Sequence, residues 1–109
     1  MVKWTRMKDL QKKVLDFVRK YNLEYSPETS TLDLVSEIGE VAKEILKSTD
    51  YGKAPPKIPE ETKTEIGDVF YSLIALANSL NIDLEEALEL VLKKYEKRIK
   101  EKGSAESGR

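Results

Sequence analysis

The chain has 109 residues, with 19 basic and 20 acidic side chains, and it contains neither histidine nor cysteine. Its length fits one domain, and its formal net charge of −1 provides no field to attract nucleic acid or an anionic membrane. No apolar run approaches the roughly 18 residues of a membrane span, and the N-terminus shows no signal-peptide core. We therefore expect a cytoplasmic protein with no nucleic-acid or membrane partner.

The two missing residue types restrict the chemistry further. Without cysteine there is no disulfide, thiolate nucleophile or iron–sulfur cluster, and without histidine there is no Ser–His–Asp triad or imidazole-bound metal. Any metal must be held by oxygen atoms, which favours magnesium, manganese or calcium. Lys and Glu dominate the charged 36% of the chain and Gln11 is its single glutamine, a composition typical of thermophiles.

Helical periodicity dominates the first half of the chain. The spacing predicts a first helix over residues 5–21, followed by a break that contains Pro27. A second helix is expected to begin at or just after Ser30, with Asp33 three residues on to close a capping box, and to end near Lys47.

The second half follows the same pattern. Three prolines and a glycine in residues 48–59 predict a loop of about a dozen residues, and loops of this length often carry function. A third helix is expected over residues 60–80. Asp83 has the character of an N-cap for a fourth helix that runs to about Lys100. Residues 103–109 are small and polar, and we expect them to form a disordered tail.

One acidic motif occurs twice. Glu37 and Glu40 in the second helix, and Glu65 and Asp68 in the third, each enclose an apolar residue and a glycine. Acids at i and i+3 lie about 60° apart on one helix face, and here they flank the apolar stripe of each helix. Two antiparallel helices packed along those stripes would bring the four carboxylates together. Such a group repels itself unless a cation or protons neutralise it, and a hard divalent metal does so most simply.

The glycines within these motifs strengthen the hypothesis. A glycine inside a helix is destabilising by roughly 1 kcal/mol relative to alanine. Gly39 and Gly67 carry that cost at equivalent places, each between two acids. The missing side chain either permits close approach of another backbone or leaves room for a ligand.

The motifs and their surroundings resemble the MazG-like nucleotide pyrophosphohydrolases of the all-α NTP pyrophosphatase superfamily. The resemblance lies in Glu-x-x-Glu followed by Glu-x-x-Asp, within the segments 34–41, 65–73 and 81–88, and it covers residues 7–98. It implies a four-helix bundle-like domain over residues 1–102, completed by a neighbouring subunit in a homodimer or homotetramer.

The resemblance also implies an activity. The expected reaction is Mg²⁺-dependent hydrolysis of a nucleoside triphosphate to a monophosphate and pyrophosphate, with Mn²⁺ as a substitute and house-cleaning of non-standard nucleotides as a role. Glu37, Glu40, Glu65 and Asp68 match the metal-binding acids of the family. The metal would bridge phosphate oxygens and lower the pKa of a bound water.

Further candidates surround these acids. Glu44 lies on the same helix face and is a candidate outer-shell acid or general base. Lys47, Lys94 and Arg98 are candidates for phosphate binding, and Trp4 is a candidate for stacking on the base. Each of these also has an ordinary structural interpretation, as a solvated charge or an interface residue.

Two departures from the family pattern keep alternatives open. Ser36 occupies a position where many members have an acid, and Tyr95 lies where some relatives have an asparagine. One alternative is an enzyme like phosphoribosyl-ATP pyrophosphohydrolase. Another is a non-catalytic oligomerisation or regulatory module with a vestigial cation site.

Overall fold

The computed structural model describes residues 6–103, which form four α-helices and no strand. The helices are α1 (Met7–Lys20), α2 (Pro27–Ser48), α3 (Glu61–Ser79) and α4 (Leu84–Lys102). The predicted all-α class is therefore confirmed. Across the described range, no helix combines the length and the apolar character needed to cross a membrane. Trp4 and residues 104–109 lie outside that range, so the stacking role and the disordered tail stay predictions.

The start of α2 differs from the expectation. Ser26 is the N-cap, and its hydroxyl accepts a hydrogen bond from the amide of Thr29 at 3.2 Å. Pro27 occupies the first turn, where its fixed φ suits the helix and its missing N–H needs no partner. The predicted start at Ser30, with Asp33 in the capping box, was therefore wrong. A proline that was interpreted as a break in fact begins the helix.

The remaining boundaries agree with the sequence within a few residues. Asp83 caps α4 as predicted, since its Oδ1 accepts from the amides of Glu85 at 2.9 Å and Glu86 at 3.2 Å. α4 ends at Gly103, whose φ of 72° lies in the left-handed region that glycine adopts readily. The predicted proline-rich loop separates α2 from α3 and spans residues 49–60.

α3 is the central helix of the packing. It packs on α2 and on α1, and α4 packs on α1. The buried apolar core is small and consists of Val18, Ile74 and Ala77, and α4 contributes no buried residue. The Cα radius of gyration is 17.0 Å, against about 13 Å for a compact domain of this length. The four helices therefore form an open arrangement with much apolar surface uncovered.

One polar network fixes the junction of α1, α3 and α4. The amide nitrogen of buried Gln11 donates to Asn78 Oδ1 at 3.0 Å and to the carbonyl of Ile82 at 2.9 Å. Its amide oxygen accepts from the backbone N–H of Leu84 at 2.9 Å. Asn78 in turn donates to the Gln11 carbonyl at 3.0 Å. Both side-chain groups of Gln11 are thus paired, and the entry of α4 is held in place.

Candidate active site

The seam between α2 and α3 is lined mainly by polar side chains. Buried and half-buried positions recur every three or four residues along both helices, so that a polar stripe of each helix faces the other. The half-buried or buried positions along these stripes include Ser30, Asp33, Glu37, Glu44 and Ser48 on α2 and Thr62, Glu65 and Ser72 on α3, together with the apolar Leu34, Val41 and Val69. The acidic motifs therefore contribute residues to the seam itself.

This differs from the expected arrangement, in which apolar stripes filled the seam and the acids flanked it. Part of each apolar stripe instead faces outward, since Val35 is 63% exposed, Ile38 50% and Ile66 53%. Val41 and Val69 of the same stripes are half-buried in the seam. A helix wheel gives the angles between faces, but it does not decide which face meets a neighbouring helix of the same chain. Four acids are consequently half-buried, while Glu40 and Asp68 remain exposed at the edge; the half-buried acids are Asp33, Glu37, Glu44 and Glu65.

Glu37 lies in a strongly acidic environment. Desolvation by burial is the largest cause that raises the pKa of its carboxyl, and the charges of Asp68, Asp33 and Glu40 add to it in that order. Both effects disfavour the ionised form. The structure thus places one acid of the first motif in electrostatic contact with one acid of the second.

Glu65 lies in a similar environment on α3. Its pKa is raised first by desolvation and then by the nearby charges of Glu44, Glu40, Asp68 and Glu61. Its Oε2 atom is inaccessible to solvent and has no hydrogen-bond partner. A buried carboxylate oxygen without a partner is destabilising, so a ligand or proton that binds it would stabilise the fold.

The carboxylates approach one another without converging on a single point. Among residues 6–103, no three acidic side chains lie close enough together to hold a metal ion. Convergence would require neutralisation of their charge, by protons or by a cation. The donor set consists of oxygen atoms alone, one of them buried and unpaired, and this chemistry fits a hard divalent cation.

The glycines of the two motifs are open to space. A Cβ added at Gly39 or Gly67 meets no atom within 4 Å. Close approach of another helix of the same chain therefore does not explain these glycines. For the described residues, the predicted close approach of a backbone is wrong. Room for a ligand or for another subunit remains.

Two of the three candidate phosphate-binding cations, Lys94 and Arg98, lie on α4, outside the α2–α3 seam. Lys47 is exposed near the end of α2, one residue before Ser48. The ammonium of Lys94 lies 5.4 Å from the ring centre of Tyr95, and the guanidinium of Arg98 lies 5.9 Å from it. Tyr95, the position of the expected asparagine, is therefore flanked by two cations. These two cations belong to a helix that packs on α1, so their role in phosphate binding stays a prediction.

A pocket of about 230 Å³ lies between α1, α2 and α3, beside the acids. Tyr25, Asp33, Tyr71 and Ser72 contribute to its wall, and the Ser72 hydroxyl donates to Asp33 Oδ2 at 2.7 Å. Burial raises the pKa of the Tyr71 phenol, with smaller contributions from Tyr25 and Asp33.

Sequence reasoning missed this pocket because it assigned Asp33 to a cap. The available signal was spacing: Asp33 lies one helical turn before Glu37, and Ser72 lies one turn after Asp68. On antiparallel helices, these two positions extend the acidic pair of Glu37 and Asp68 by one turn in the same direction.

Comparison with known proteins gives consistent matches. The family described as the MazG nucleotide pyrophosphohydrolase domain matches residues 25–102. The YpjD protein of Bacillus subtilis is 40% identical over 100 residues, covering 88% of both chains.

Solved structures agree with the sequence matches. The crystal structure of the Bacillus-conserved MazG protein, a nucleotide pyrophosphohydrolase, superposes with a TM-score of 0.72 at 35% identity, covering 86% of this chain and 93% of that one. The crystal structure of B. subtilis YpjD gives a TM-score of 0.71 at 37% identity, covering 86% and 96%.

Proposed function

Because the chain belongs to the MazG nucleotide pyrophosphohydrolase family, we propose that it hydrolyses a nucleoside triphosphate to the monophosphate and pyrophosphate. The protein is a hydrolase of this family. The observation that carries the proposal is the unpaired, inaccessible Glu65 Oε2 within a seam of acids drawn from both repeated motifs. A buried carboxylate oxygen without a partner is destabilising, which supports a ligand at this seam.

Enzymes of this family generally use divalent cations, and we propose Mg²⁺, with Mn²⁺ as a substitute. Glu37, Glu40, Glu65 and Asp68 would hold the ion. When bound, it supplies neutralisation of phosphate charge and a water of lowered pKa. The acids provide hard oxygen ligands and would repel a polyphosphate by themselves, so cation and substrate are expected to bind together.

The remaining roles are assigned to neighbouring side chains. Ser36 supplies no carboxylate, so Glu44, half-buried and close enough to raise the pKa of Glu65, is the proposed base that orients the attacking water. Lys47, at the end of the same helix, is proposed to contact the leaving pyrophosphate. Lys94 and Arg98 would act on phosphate from the fourth helix of either the same chain or its partner.

We further propose a homodimer or homotetramer. On α4 the apolar side chains of Leu88, Leu92 and Ile99 are 56%, 56% and 53% exposed and lie on one face. With the outward stripes of α2 and α3, they form apolar surface of the kind that oligomers bury. Sedimentation equilibrium should give a multiple of the 12.5 kDa chain mass, and Leu88→Lys with Leu92→Lys should lower it. A parent that sediments at 12.5 kDa would refute the oligomer.

The activity is tested with a panel of nucleoside and deoxynucleoside triphosphates plus phosphoribosyl-ATP, with pyrophosphate release measured in Mg²⁺ and in EDTA. We expect release from at least one nucleoside triphosphate, dependent on the metal and absent in Glu40→Gln. Release from phosphoribosyl-ATP alone would favour the second enzyme class. No release from any compound would favour the non-catalytic module. House-cleaning, a cytoplasmic location and a thermophilic source are the broader proposals that accompany this function.

A further inference from the structure

We propose that the pocket between α1, α2 and α3 receives the nucleobase of the substrate, and that Asp33 selects bases with an exocyclic amino group, such as cytosine over uracil. This inference rests on the proposed function for the identity of the ligand as a nucleotide. It adds a selecting residue and a base class.

The position of the pocket relates it to the acids. Asp33 precedes Glu37 by four residues and Ser72 follows Asp68 by four, so the Asp33–Ser72 pair lies about 6 Å along the helix axes from the Glu37–Asp68 pair. The charge of Asp33 also contributes to the raised pKa of Glu37. A nucleotide whose phosphates are held at the acids therefore has a pocket for its base within reach, one helical turn away, and we place the base there.

The walls of the pocket suit a flat ring with polar edges. Tyr25 and Tyr71 contribute aromatic side chains, and Val18 and Ala75 contribute apolar surface. Phe17 packs edge-on against Tyr71 with 6.2 Å between ring centres, which restrains the orientation of that ring. Aromatic side chains stack on bases with little regard to base identity, so selection must come from the polar groups.

Hydrogen-bond acceptors lie at the α2–α3 side of the pocket. Ser72 donates its only proton to Asp33 Oδ2, which leaves Asp33 Oδ1 and the lone pairs of Ser72 as acceptors. Asn78, which also lines the pocket, is already engaged with Gln11 through both its oxygen and its nitrogen. The carboxylate of Asp33 is therefore the charged acceptor on that side, where the hydroxyl of buried Ser30 also lines the pocket.

A carboxylate discriminates between amino and carbonyl groups. It accepts hydrogen bonds from the amino group of cytosine, whereas it repels the carbonyl oxygen that uracil presents at the same place. Donors at the rim, such as Arg19, which lies 3.8 Å from Glu24, can serve a carbonyl oxygen that both bases share. The two nucleotides then differ at the exocyclic group and at the adjacent N3, which is an acceptor in cytosine and an N–H donor in uracil, and the proposal places the Asp33 carboxylate opposite the exocyclic group.

The test compares kcat/KM for CTP with UTP, and for dCTP with dUTP, because each pair differs only at that edge of the base. We expect the parent to prefer cytosine by about tenfold or more, the range given by one good base contact. Asp33→Asn should reduce the ratio at least tenfold, since an asparagine amide can donate to the uracil oxygen. Asp16→Asn, a matched change on the outer face of α1, should leave the ratio as in the parent.

An equal rate for the two bases in the parent, or an equal loss of all four rates in Asp33→Asn, would overturn the proposal. If Asp33→Asn fails to fold, we compare how strongly CMP and UMP protect the parent protein against heat. Stronger protection by CMP supports the assignment, and equal protection refutes it. Because monophosphates are not hydrolysed, this comparison separates failure of the base assignment from failure of the proposed activity.

Discussion

Gln11 and Glu65 are both polar side chains held between helices, yet their environments are opposite. Gln11 has both side-chain groups paired, through three hydrogen bonds of 2.9 to 3.0 Å. Glu65 has an inaccessible oxygen with no partner and is surrounded by four other acids. The fold can therefore satisfy a buried polar group completely. The contrast supports a structural role for Gln11 and the proposed ligand-binding role for Glu65.

Asp68→Asn should produce the largest effect, on activity alone. A metal-bound phosphate site contributes several kcal/mol to the transition state, and each 1.4 kcal/mol is tenfold in rate. We expect kcat/KM to fall on the order of 10²- to 10³-fold, with helix content and the free energy of unfolding close to the parent. Asp16→Asn is the matched control and should retain activity. If the Asp68→Asn enzyme is fully active, the acids of the two motifs do not take part in catalysis as proposed.

Gln11→Ala should produce the reverse pattern. It leaves the Leu84 amide and the Ile82 carbonyl without their partner, and each unpaired buried group is destabilising by about 1–3 kcal/mol. We expect a loss of about 2–4 kcal/mol by chemical denaturation.

Lys12→Ala is the control for this change. It removes the adjacent exposed ion pair with Asp16, at 2.9 Å, and should cost at most about 0.5 kcal/mol. Equal losses in Gln11→Ala and Lys12→Ala would show that the network does not hold α4.

The smallest effect concerns pH. The pKa values of Glu37 and Glu65 are raised in the folded protein. At any pH between the unfolded and the folded pKa values, the native state therefore binds more protons than the unfolded state. The favourable contribution of the two protonated groups to the free energy of unfolding is complete below the unfolded pKa of about 4.3. It is lost as the pH rises through the pKa values of the folded protein.

Glu65→Gln should therefore be slightly more stable than the parent at neutral pH in EDTA, and the difference should shrink toward pH 4. Thermal melts at pH 4, 6 and 8 measure this, and Mg²⁺ should raise the melting temperature of the parent more than that of the variant. A parent that is more stable than Glu65→Gln in EDTA at pH 8 contradicts the assigned sign.

Local signals in the sequence predicted the fold well. The four helices, the Asp83 cap and the proline-rich loop follow from periodicity and turn chemistry that act within a few residues. The start of α2 was wrong because a proline ends a helix or begins one, and only the Ser26 cap decides between them.

The site was predicted only in part. Repetition placed Glu37 and Glu65 on equivalent faces, but the outward direction of the Ile38 and Ile66 stripes depends on which face meets a neighbour. Packing between helices depends on residues that are distant in the chain, and the helix wheel of one helix does not predict it. The pairing of Asp33 with Ser72 is missed for the same reason, since 39 residues separate them in the chain.

Mn²⁺ binding measured by electron paramagnetic resonance tests directly whether the acidic seam binds a divalent cation, as we propose. The parent and Gln11→Ala should remove free Mn²⁺ from solution with similar affinity at pH 7.5, and Mg²⁺ should compete. Asp68→Asn and Glu65→Gln should weaken binding at least about tenfold. If Mn²⁺ binding is absent in the parent, or unchanged in both acid variants, the acidic seam is not a cation site.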